Sequence, residues 1–159
     1  MSLENRNDSI VTSIRAALDD ANLKYEYNEI VNAFHFGFSL ETKISPLRVF
    51  IFPRQSDFLI KTLANVKGDP ANPEMMDKLT ELIVKINYRL ILGNFDLDLS
   101  DGEISFRFGV ECAALDDLPI TFVNTTIALA TQAWIDYANC FLGIVDDGLA
   151  ADAAIKLRK

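Results

Sequence analysis

The segment Asn87 to Glu111, NYRLILGNFDLDLSDGEISFRFGVE, constrains this chain more than any other. Phe95, Leu97 and Leu99 alternate with Asn94, Asp96 and Asp98; Ile104, Phe106, Phe108 and Val110 then alternate with Ser105, Arg107 and Gly109. Between the runs lies Asp101-Gly102, a pair suited to the positive φ of a tight hairpin turn. A two-residue turn there sets Leu99 against Ile104, Leu97 against Phe106 and Phe95 against Phe108. The other face then carries Asp96 opposite Arg107, so one register serves both the apolar face and a charge pair. The segment predicts a hairpin and contains no catalytic motif.

Other elements are arranged around it. Ile10, Ile14, Leu18 and Ala21 fall on one helical face, with Asp8 or Ser9 placed as the N-cap. Phe34, Phe36, Phe38 and Leu40 alternate with Ala33, His35, Gly37 and Ser39, the pattern of a half-buried strand. After Ser45-Pro46, Leu47 to Phe52 is apolar on both faces apart from Arg48. Such a strand is either covered on both sides or offers its second face, Phe50 and Phe52, to a partner. Pro53 closes it, and Phe58 to Val66 reads as another strand. Asn72 and Pro73 start a helix whose buried stripe is Met76, Leu79, Ile83 and Ile86. Glu74 with Lys78, and Glu81 with Lys85, form i,i+4 pairs on its wet side.

The last long element, Pro119 to Val145, has Asp136 as its only charge. Ile120, Val123, Ile127, Trp134, Ala138 and Phe141 form one stripe; Phe122, Leu129, Ala133 and Cys140 form another. Its Thr, Asn and Gln residues are too polar for a bilayer span. A helix apolar on two sides packs against two surfaces, the second being either another part of this chain or another subunit. Gly148 ends it, and the Ala-rich tail adds a short turn or helix. The expected fold class is therefore α+β, in the order α-β-β-β-α-β-β-α, with a five-stranded antiparallel sheet packed by helices. The 159 residues form one domain, its core spanning residues 8–147 and its tail 148–159.

The net charge of −8 disfavours nucleic acid and anionic membrane as partners. The eleven phenylalanines are interleaved with small or acidic residues rather than the Lys and Arg of a base-stacking sheet. MSLENRNDSI lacks the apolar segment of a secretion signal, so a reducing, cytoplasmic setting is expected, with Cys112 and Cys140 acting as small apolar residues. Asp96, Asp98, Asp101 and Glu103 suggest calcium, but an EF-hand loop counted from Asp96 needs Gly and Glu where Asp101 and Arg107 stand. His35 is the single histidine and has no sequence neighbour suited to catalysis or metal binding. With no nucleophile elbow, phosphate loop or dinucleotide fingerprint, the expectation is a non-enzyme without cofactor or metal.

The block Asn87, Leu92-Gly93-Asn94-Phe95, Leu97-Asp98, Asp101-Gly102-Glu103 and Phe106-Arg107 resembles the hairpin of YbjN-like proteins. The preceding helix running into an Asn, and the long final helix with Tyr137 and Gly148, extend the resemblance over Ile10 to Ile155. It implies a fold similar to type III secretion chaperones, which are small, acidic, usually homodimeric cytoplasmic proteins that hold an extended partner segment on apolar patches. The family also carries a sensory transduction regulator label, and it implies no catalytic residue. The expected function is thus a homodimeric, protein-binding domain with a chaperone-like or regulatory role, its interface drawn from Phe122, Leu129, Ala133, Phe50 and Phe52. One alternative is a small-molecule sensor with its ligand between sheet and helices. Another is an enzyme built from distant carboxylates.

Overall fold

A computed structural model describes residues 3–113 and 118–159, with side chains described from Asp8 onward. The order is α1 (Leu3–Asp20), β1 (Glu26–Asn28), β2 (Ala33–Phe38), β3 (Leu47–Pro53), β4 (Asp57–Lys67), α2 (Pro73–Asn87), β5 (Asn94–Leu97), β6 (Glu103–Glu111), α3 (Ile120–Val145) and α4 (Ala151–Ala154), ending in a 3-10 turn. One antiparallel sheet holds six strands in the order β1-β2-β3-β4-β6-β5, not five. The added strand is β1, three residues long and paired with β2 through Glu26–His35, Tyr27–Phe34 and Asn28–Ala33. Three residues are too few for alternation to declare itself; the Tyr27 ring, tilted against Phe34 at 4.6 Å, anchors them.

The helices share one face of the sheet. Phe34, Phe36, Val49, Ile51, Ile60, Phe95 and Phe106 point into that layer and join the core with Ile14, Leu18, Leu79, Ile86, Val123, Trp134 and Phe141. Phe95 is its aromatic hub, with Phe106, Trp134 and Phe141 each 5.0 Å away between ring centroids. Trp134 Nε1 donates to Thr62 Oγ1 at 3.0 Å, so the buried indole N–H finds an acceptor on the sheet. This aromatic cluster packs between the sheet and α3.

The hairpin forms with a register displaced by two residues. Phe95 faces Phe106 and Leu97 faces Ile104, leaving Leu99 out of the ladder and 66% exposed. The displacement keeps every side chain on its expected face, since strand periodicity is two. Its cause is local. Asp98 Oδ1 accepts from the Ser100 N–H and hydroxyl at 2.8 and 2.6 Å, while Asp98 N–H donates to Glu103 O at 2.9 Å, so a four-residue loop closes the hairpin. Gly102 alone of the Asp-Gly pair has positive φ, and any Cβ there would press into the backbone of Gly68, whose N–H donates to Gly102 O at 2.8 Å. Asp96 and Arg107, now diagonal rather than opposite, still pair at 2.6 Å.

Helix α2 follows expectation: Asn72 Oδ1 accepts from Met75 N–H at 3.1 Å, Pro73 opens the helix, and Lys78–Glu74 and Lys85–Glu81 pair at 2.7 and 3.1 Å. Helix α1 differs. It begins at Leu3, so Asp8 and Ser9 lie inside it rather than at a cap, and Ala21 falls beyond it and is exposed, Ala17 taking its place in the core. The core also reaches past residue 147, because Ala151, Ala154 and Ile155 of the tail are buried.

Candidate protein-binding surfaces

The sheet face turned away from the helices has two different halves. On β2 and β3, His35 stacks on Phe50 at 4.6 Å with 16° between planes, and Phe50 lies parallel to Phe52 at 6.4 Å. His35 is exposed and both phenylalanines are half-buried, so the second face of β3 does carry apolar surface to solvent. On β4, β6 and β5 the face is charged but internally neutralised: Lys61 Nζ meets Glu103 Oε1 at 2.7 Å, beside the Arg107–Asp96 pair. These four residues line a shallow groove of about 450 Å³. Arg48, near the start of β3, has no anionic partner among the described residues.

The acid run is spent on structure. Asp96 holds Arg107, Asp98 and Asp101 each close part of the loop, and Glu103 holds Lys61. Hydrogen bonds from the Ser100 hydroxyl and N–H keep the Asp98 carboxyl below its ordinary pKa. Among the described residues no three His, Cys, Asp or Glu side chains gather as a metal site.

Helix α3 splits lengthwise into two environments. Along its C-terminal half the second stripe is covered by the chain's own tail: Leu149 and Ala154 sit over Gly143, Arg158 lies 5.0 Å above the Tyr137 ring, and Lys159 N–H donates to Asp136 O at 3.1 Å. Gly148, at φ +68°, turns the chain back for this. Ala133, one of the expected interface residues, and Cys140 are buried in this molecule. Phe122 and Leu129, in the N-terminal half, remain 40% and 45% exposed. Because α3 packs on the helix-bearing face through Trp134, the Phe122–Leu129 surface and the Phe50–Phe52 surface lie on opposite sides of the protein and form no single site.

A third apolar surface escaped sequence reasoning. At the C-terminal end of α2 and in the loop to β5, Val84, Tyr88, Ile91 and Leu92 are 64%, 91%, 96% and 54% exposed. Their signal was present: Val84 lies opposite the buried stripe of α2, and Ile91-Leu92 continue an apolar run beyond the helix. Beside this patch, Asn87 Oδ1 accepts from Phe95 N–H at 2.8 Å and Asn87 Nδ2 donates to Phe95 O at 2.9 Å. The outward backbone groups at the middle of edge strand β5 are therefore already satisfied. The opposite edge, β1, has no such plug among the described residues.

Burial pushes the Cys112 and Cys140 thiols up to about 11, so neither is a thiolate at neutral pH, and they are not bonded to each other. No helix among the described residues is long and apolar enough to cross a membrane. No protein-family model and no curated protein matches the chain. A similar solved structure is the crystal structure of the ExsC–ExsE complex, at 11% identity and a TM-score of 0.48, covering 80% of this chain and 92% of that one. A likeness at that level carries no argument about what this chain binds.

Proposed function

We propose that the chain is a non-enzymatic protein-binding domain with a chaperone-like or regulatory role. The observation that carries this reading is the uncovered sheet face: a six-stranded sheet with helices on one side only, whose other side presents the His35–Phe50–Phe52 stack to solvent. Stacked, half-desolvated aromatics on a rigid sheet offer large contact area at little ordering cost. The Phe122–Leu129 surface of α3 is a second place of contact for a long partner segment. The acidity of the chain suits a partner with basic flanks. The resemblance to YbjN-like proteins and to the secretion-chaperone fold belongs to this reading, as does its cytoplasmic setting.

The test is co-purification of the tagged protein from its host, with Phe50→Asp/Phe52→Asp compared against the parent. Both positions face solvent, so the fold should survive, as circular dichroism would verify. One protein recovered near stoichiometry by the parent and lost by the variant supports the reading. A partner retained equally by both moves the site off the sheet, and recovery of the bait alone from both counts against protein binding.

A further inference from the structure

We propose that the open sheet face selects partner segments carrying an acidic side chain two residues away from a pair of alternating apolar ones, the acid entering a groove at the end of the Phe52–Phe50 strip beside Arg48 and Lys67. The proposal rests on the sheet-face reading above and adds to it the chemistry of the partner. Strand register builds the strip: Phe52 stands beside Leu59, Phe50 beside Lys61 and Arg48 beside Leu63. Residues two apart on β3 share a face and lie about 6.6 Å from one another, which is also the repeat of an extended segment. A segment laid along β3 therefore meets, with every second side chain, first Phe52 and Leu59, then Phe50 and the stem of Lys61, then Arg48. Access is open on both flanks. Arg48 has Gly37 as its neighbour on β2, Leu59 has Gly109 as its neighbour on β6, and a Cβ added at Gly109 would meet nothing within 4 Å.

The groove at the end of the strip measures about 320 Å³ and has Arg48, Leu63, Asn65 and Lys67 in its lining, with Asp101 and Glu103. The register of β4 shifts between Leu63 and Lys67, and pairing resumes with Lys67 opposite Glu103, which puts Lys67 on the same face as Glu103. Neither Arg48 nor Lys67 has an anionic partner among the described residues. The two acids of the groove are already engaged: Glu103 Oε1 meets Lys61 Nζ at 2.7 Å, and Asp101 Oδ1 accepts from Glu103 N–H at 2.9 Å. In a chain of net charge −8, two cations without partners beside an apolar strip are a local reversal of sign. A carboxylate placed there gains charge-assisted hydrogen bonds, whereas Lys or Arg at the same position meets like charge. The basic flanks that suit the acidity of the whole chain lie beyond this contact.

Selection of short random peptides displayed on phage against the immobilised chain tests this, with folding of each variant checked by circular dichroism. The peptides enriched on the parent should share two apolar residues at alternate positions with Asp or Glu two residues further along, in one chain direction. As synthetic peptides they should bind Arg48→Glu/Lys67→Glu about tenfold more weakly or worse. Selection repeated on that variant should replace the acid by Lys or Arg. Peptides lost by Phe50→Asp/Phe52→Asp but showing no acidic preference, or bound equally by Arg48→Glu/Lys67→Glu, overturn the proposal and leave the sheet-face reading standing. No enrichment on the parent, or peptides kept by Phe50→Asp/Phe52→Asp, overturns both.

Discussion

Thr62→Val removes the hydroxyl that accepts from the Trp134 indole and leaves a buried N–H with no partner, at a cost of about 1–3 kcal/mol. A urea-denaturation series comparing parent and variant measures this, and an unchanged midpoint would show that the bond adds nothing. Asn87→Ala breaks two bonds to the Phe95 backbone together and should cost a similar ~1–3 kcal/mol, with faster amide exchange along β5 as its local signature. Residues of this kind are where the sequence was least readable. Alternation showed that Phe95 belongs in the core, but nothing local to Asn87 says that its amide reaches eight residues ahead to a strand edge. Thr62 likewise looked like an ordinary strand residue, because its acceptor role requires the position of a helix 72 residues away.

At the level of elements, α2 was fully legible because each of its determinants is local: a cap, a proline, a stripe at helical spacing and two i,i+4 pairs. Asn72→Ala should therefore cost about 1 kcal/mol, seen as a lowered Tm without loss of the cooperative transition. The hairpin was legible in its faces but not in its register. Faces follow from period two, whereas register depended on Asp98 capturing Ser100 and on Gly102 docking against Gly68, a contact set by β4. Helix α3 revealed a need for two covers without saying which they were. The tail supplies one, over its C-terminal half. Deleting residues 149–159 should consequently lower stability and raise the reaction rate of the Cys140 thiol with a disulfide reagent at least tenfold in a Cys112→Ala background. An unchanged rate would mean that the tail does not shield Cys140.

For the whole molecule, stability should fall with alkalinity. Burial raises both thiols from an ordinary value of 9.0 to about 11, so above pH 9 the unfolded chain loses these protons while the folded chain keeps them. The unfolded state then binds fewer protons, and stability declines from about pH 9 to about pH 11, being fully present below that window. Denaturant midpoints at pH 8 and 10.5 should separate for the parent and draw closer for Cys112→Ala/Cys140→Ala, the rest being the contribution of Tyr137 and Tyr25, which burial shifts in the same direction. At this scale the two-layer α+β plan was readable from element order, while the surfaces left bare were not, since exposure is a property of the assembled layers rather than of any stretch of chain. The plugged edge at β5 has a consequence for crowded solutions. A chain reaction of sheets joining sheets needs each unit to offer two open ends, and Asn87 closes one of them at its centre. With β5 plugged at Phe95 and β1 only three residues long, neither margin offers a long open stretch for backbone pairing between copies.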